Sequence, residues 1–140
     1  MEQEPTPATS AVPGELPAGN TSVTPAAVAK VAAAAASAVR GVHALGTASP
    51  RAFGALREAV AHDAAVPGVT AEVGTTQAAV DIVLTAEYGR PLYDLADDVR
   101  AAVHDAVEHQ TGLQVIEVNV EIGDVHVPGL HEGHPGTERQ

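Results

Sequence analysis

The chain has 140 residues, 45% of them hydrophobic and 18% charged, enough for one domain with a sizeable core and too few for two. Eighteen acidic residues against seven basic ones give a formal net charge of −11, the wrong sign for gripping a phosphate backbone or an anionic bilayer, so neither a nucleic-acid partner nor direct membrane insertion is expected. The sequence has no Cys, which removes disulfides, thiolate nucleophiles, Cys-ligated zinc and iron–sulfur clusters; its aromatics are Phe53, Tyr88 and Tyr93, so Val, Ala, Leu and Ile must fill the core.

The first 24 residues carry Glu2, Glu4 and Glu15, four prolines and no Lys or Arg, unlike the basic start and apolar stretch of a secretory signal. Residues 1–20 read as a disordered arm of a cytoplasmic protein. Thr24-Pro25 then signals a helix start, with Val28, Val31, Ala35 and Val39 at helical spacing and Gly41 as the stop. The apolar run from Ala26 to Val39 is shorter than the ~20 residues of a membrane span and contains Lys30 and Ser37, so it reads as a buried helix. Its many alanines give it high helix propensity and a thin profile that suits close packing on a sheet.

Val42-His43-Ala44-Leu45 reads as a short strand, and Ser49-Pro50 opens a second, short helix with Phe53, Leu56 and Val60 on one side. After the Pro67-Gly68 turn, Val69, Ala71 and Val73 alternate with Thr70 and Glu72, and Gly74-Thr75-Thr76 forms a connection. In the next strand Val80, Ile82, Leu84, Ala86 and Tyr88 face one way and Asp81, Val83, Thr85 and Glu87 the other, the alternation of a sheet with one wet face. Pro91 starts another helix whose apolar stripe is Leu92, Leu95, Val99, Val103 and Ala106, ended by Gly112. A last strand alternates Ile116, Val118, Val120 and Ile122 with Glu117, Asn119 and Glu121. The expected architecture is a two-layer α+β domain over residues 21–127, a mainly antiparallel sheet with two long helices on one face, followed by a Pro/Gly-rich flexible tail at 128–140.

Few residue patterns carry chemistry. Ser10 and Ser22 lie in the arm, Ser37 falls mid-helix and Ser49 reads as a cap; no Gly-x-Ser-x-Gly elbow, phosphate loop or dinucleotide fingerprint occurs, so neither an enzyme nor a cofactor is expected. His126, His131 and His134 cluster near the C-terminus and are the alternative candidates for a metal or small-ligand site, though their spacing is not that of a helical zinc pair and their segment is rich in Gly and Pro. Asp81, Glu87, Glu117 and Glu121 occupy the wet positions of two strands. There an ordinary carboxylate serves solubility or recognises a basic partner, which requires matched potential and no tuned site.

The pieces Gly41-Val42-His43-Ala44-Leu45, Gly68 to Gly74, Gln77 with Val80-Asp81-Ile82, and Glu87-Tyr88-Gly89 with Pro91 together resemble the alkaline shock protein family of bacterial envelope stress proteins. The second half agrees through Val99-Arg100, Ala106-Val107-Glu108, Thr111-Gly112-Leu113, Glu117-Val118-Asn119-Val120 and Asp124-Val125-His126. Two departures are visible: the family's Gly-led opening strand is represented by Gly19 to Val23 with one aliphatic residue, and Arg90 stands where an aliphatic residue is common. The resemblance implies a non-enzymatic stress protein that self-associates and is held at the inner face of the membrane by a membrane-anchored protein partner. It supplies no catalytic motif.

Overall fold

A computed structural model describes residues 16–46 and 66–130. Helix α1 (Pro25–Ser37) starts as the Thr-Pro pair dictates: Thr24 Oγ1 accepts from the Ala27 N–H at 3.1 Å, and Pro25, which has no N–H to satisfy, fills the first turn. It ends before Gly41, because Ala38 takes the C-cap: the Ala38 N–H donates to the Ala35 carbonyl at 3.2 Å and the Val39 N–H to the Ala36 carbonyl at 3.1 Å. Val28, Ala29, Ala32 and Ala36 are the buried side, and Val31, Ala35 and Val39 are partly buried at its flank. Three of the four buried side chains are alanines, so the helix can approach its neighbours closely; a reading by hydrophobicity favours the valines and turns the face slightly away from its true direction.

The remaining elements are β1 (Val42–Leu45), β2 (Val69–Val73), β3 (Gln77–Glu87), α2 (Leu92–Thr111) and β4 (Gln114–His126). Their order, helix, three strands, helix, strand, is the expected one among the described residues. The Ser49-Pro50 helix start, with Phe53, Leu56 and Val60, lies outside them, as do His131 and His134. Residues 16–24 form no strand, and Val23 packs against the core from an extended approach to α1.

β3 is the spine of the sheet. On one side β1 and β2 lie end to end, both antiparallel to it, with Leu45 opposite Leu84 and Val69 opposite Ile82. On the other side β4 runs parallel along the whole strand, from Gln77–Gln114 to Glu87–His126. Two of the three strand pairs are thus antiparallel, and the third is parallel because α2 carries the chain back to the starting end of β3 before β4 begins. Where β1 gives way to β2, Gly46 N–H donates to the Val83 carbonyl at 2.6 Å and Val83 N–H donates to the Gly68 carbonyl at 2.7 Å. Two glycines far apart in sequence therefore share one residue of the spine.

Both helices cover one face, which makes the domain two-layered α+β. Val80, Ile82, Leu84 and Ala86 from β3, Val69 from β2, and Leu95, Val99, Val103 and Val107 from α2 are almost fully buried. Each buried Val, Leu or Ile contributes about 1.5–3 kcal/mol. In α2 the stripe closes on Val107, with Ala96 added; Leu92 reaches the surface and Ala106 is half-buried. Tyr88, expected to continue the inward set of β3, is 70% exposed because the strand ends at Glu87. Gly112 ends α2 in the left-handed conformation at φ 77°, as its position in the sequence indicates.

The register of β4 corrects a further sequence expectation. Ile116 was placed inward by alternation, yet it is 55% exposed, because a bulge pairs Ala78 with Val115 and Ala79 with Glu117 and leaves Ile116 unmatched. Val115 and Val118 take the inward places. A second bulge at Gly123 pairs Leu84 with Ile122 and Thr85 with Asp124. Arg90 also has a structural role: its guanidinium donates to the Arg40 carbonyl at 2.7 Å and to Asp98 at 2.8 Å, tying the α1–β1 turn to α2.

Candidate partner-binding face

No described helix lies over the sheet face opposite α1 and α2. Register fixes what it displays, since directly paired residues point the same way. Asp81 and Glu87 from β3, Glu117, Glu121 and Asp124 from β4, and Glu72 from β2 share this face, and all six are exposed. None of the four described strands contains Lys or Arg. The face is therefore a strongly negative surface with Val83 half-buried at its middle.

The four carboxylates singled out from sequence are all here, in three different settings. Asp81 and Glu117 are linked by one side chain: Asn119 Nδ2 donates to Asp81 Oδ1 at 2.8 Å and to Glu117 Oε2 at 2.8 Å. That amide spends both protons on the two acids and so relieves their mutual repulsion across the β3–β4 pair. Glu87 lies 3.6 Å from His43 Nδ1, an ion pair when the imidazole is protonated. Glu121 sits beside Val83 and projects into solvent.

His43 and His126 stack face to face, ring centroids 4.0 Å apart and planes within 7°. They come from β1 and β4, the strands on either side of β3, which lie roughly 10 Å apart at ordinary strand spacing. The rings can meet only by leaning over β3. Thr85, although on the open face, is 8% exposed and donates its hydroxyl to the Gly46 carbonyl at 2.9 Å. His126 is thus engaged in the sheet, while His131 and His134 lie outside the described residues, and no group of three or more metal-capable side chains occurs among those described.

Sequence reasoning left three members of this face out of the candidate set. Glu72 was visible from the alternation of β2. Asp124 was hidden by the Gly123 bulge, for which a glycine inside a strand pattern is the available signal. The His43–His126 contact depends on strand order, which alternation alone does not provide.

Among the described residues, the remaining ionic contacts lie on α2. Arg100 pairs with Asp97 at 2.9 Å, and His104 lies within 3.1 Å of Asp105 and 3.2 Å of Glu108. No described helix is long and apolar enough to cross a membrane.

Comparison with known sequences matches residues 15–127 to the alkaline shock protein 23 family, described by a cell envelope-related function. Among curated proteins, the stress response regulator gls24 homologs of Streptococcus pyogenes serotype M3 (strain ATCC BAA-595 / MGAS315) and serotype M1 are each 41% identical over 58 residues. Those matches cover 41% of this chain and 32% of each relative, so the chain spans about a third of the length of the curated relatives it matches. Among solved structures, MamM CTD in a manganese form gives a TM-score of 0.42 at 15% identity over 70% of this chain and 95% of that one. A zinc form gives 0.41 at 14% over 72% and 82%. Likeness at that distance carries nothing from their metals to this chain.

Proposed function

The chain belongs to the alkaline shock protein family, and from that premise we propose that it is a non-enzymatic interaction module of the envelope stress response, presenting its open sheet face to a basic, membrane-anchored protein. One observation carries the reading: six exposed carboxylates share a face whose strands hold no Lys or Arg. Surface charge of one sign steers and selects a partner of the other, and needs no concave pocket. The stress-regulator naming of the streptococcal relatives supports the same direction. A chain this acidic does not hold an anionic bilayer unaided, so an anchored protein is the natural link to the envelope. Self-association is part of the same proposal and would raise avidity for a clustered anchor.

The test is fractionation of the native cells with site-specific photo-crosslinking. A crosslinker at position 121 should join the protein to a basic membrane-anchored protein, and one on the exposed side of α1, at position 34, should not. A soluble, uncrosslinked monomer would overturn the proposal.

A further inference from the structure

β4 has a second edge. One edge pairs with β3 along its length, and no described strand pairs with the other. The first half of that outer edge is closed by the chain's own side chains. Glu108 Oε2 accepts from the Val115 N–H at 2.9 Å, and Arg100 Nε donates to the Val118 carbonyl at 3.1 Å. Both reach down from α2, and such caps are a common protection against unwanted strand pairing.

The second half is not closed in this way. Backbone groups alternate sides along a strand, so Val120 and Ile122 direct their N–H and C=O groups to the same outer side as the Val118 carbonyl. No described side chain caps them. On the helix side, these two residues form with Leu92, Tyr93 and Ala96 an open apolar groove of ≈ 250 Å³. Tyr93, on its rim, is 89% exposed. On the open-face side, the same stretch of β4 displays Glu117, Glu121 and Asp124. One short segment of edge thus offers main chain that no described residue pairs, an apolar groove above and carboxylates below.

We propose that the outer edge of β4 around Val120 and Ile122 receives an extended basic segment of a partner protein as an added strand. The segment alternates aliphatic residues, which enter the Tyr93 groove, with Lys or Arg, which lie against Glu121 and Asp124. The inference rests on the proposed function and deepens it by naming the partner's chemistry and its place of docking. Charge complementarity selects this occupant over a second copy of the chain. Pairing of β4 with β4 would join two acidic faces into one sheet with no basic residue on its described strands to offset them.

The experiment uses the full chain and a fluorescein-labelled octapeptide of alternating lysine and valine, followed by fluorescence anisotropy at low and physiological salt. Comparators are a block peptide of four lysines and four valines, and the alternating peptide N-methylated either at every valine or at every lysine. Methylation keeps the charge and removes one parity of main-chain donors. The alternating peptide should bind, and one methylation pattern should weaken it about tenfold or more while the other has a much smaller effect. Glu121→Lys should weaken binding about tenfold, and Asp105→Lys, the same charge change on the exposed side of α2 and outside the open face, by no more than about twofold.

Equal binding of all four peptides would overturn strand addition while leaving the acidic face as an attractor of basic partners. Absence of binding by every basic peptide at low salt would overturn both. A chain that already pairs with itself through β4 and excludes the peptide would overturn the choice of occupant, and with it the proposal.

Discussion

Gly46 and Gly68 meet at the Val83 peptide so closely that a Cβ built on Gly68 would lie 2.5 Å from the Gly46 nitrogen and 2.5 Å from the Val83 oxygen. Both obstacles are backbone, and Gly68 adopts φ +78°, so steric and conformational demands coincide at one residue. This junction makes β1 and β2 act as one interrupted edge strand.

Gly68→Ala should therefore lower stability by about 2–4 kcal/mol in urea denaturation. Gly74→Ala, where the nearest atom to a new Cβ is 3.7 Å away, should change it by less than about 1 kcal/mol. Equal effects at the two sites would mean that the junction is not a tight crossing.

The buried face of α1 gives a second prediction. Ala32 is fully buried, and Leu there should cost about 1–3 kcal/mol through overpacking, whereas Ala34→Leu on the exposed side should lie within about 0.5 kcal/mol of the parent. Thermal unfolding by circular dichroism separates the two. If Leu at 34 were the costly one, the helix would face the other way.

Arg90 should matter through its geometry as well as its charge. It donates to both the Arg40 carbonyl and Asp98, a double engagement that a lysine cannot reproduce. Arg90→Lys should lose most of what Arg90→Ala loses, about 1–2 kcal/mol by denaturant titration. Full rescue by lysine would reduce the role of Arg90 to net charge.

Asn119 keeps two acids apart. Asn119→Asp would set three carboxylates side by side across β3 and β4, and should destabilise by about 0.5–1 kcal/mol at low salt, a loss that shrinks as ionic strength rises. Asn119→Leu should show little salt dependence. A salt-insensitive Asn119→Asp would mean that the three side chains do not share the face as described.

Much of this fold was legible in the chain. Thr24-Pro25, Gly112 and the alternation from Val80 to Glu87 each fix a local conformation, and the parity of Asp81, Glu87, Glu117 and Glu121 followed from strand period alone. What escaped depends on contacts between distant residues. Ile116 and Asp124 changed face because bulges set against β3 shift parity within β4, and a bulge is decided by pairing. On α1 the apolar spacing finds Val28 and misses Ala29, Ala32 and Ala36, because closeness of approach selects alanine over valine at the other buried positions. The parallel β3–β4 pair and the His43–His126 stack required strand order, which local pattern does not encode.

The most direct test of the central claim is membrane recovery of a variant with its face discharged. Asp81→Asn, Glu87→Gln, Glu117→Gln and Glu121→Gln combined should fold with an unchanged circular dichroism spectrum, because all four side chains are exposed. In native cells the parent chain should sediment with the membrane fraction and be released by high salt, and the combined variant should remain in the supernatant. Equal membrane recovery of both proteins, insensitive to salt, would contradict the account.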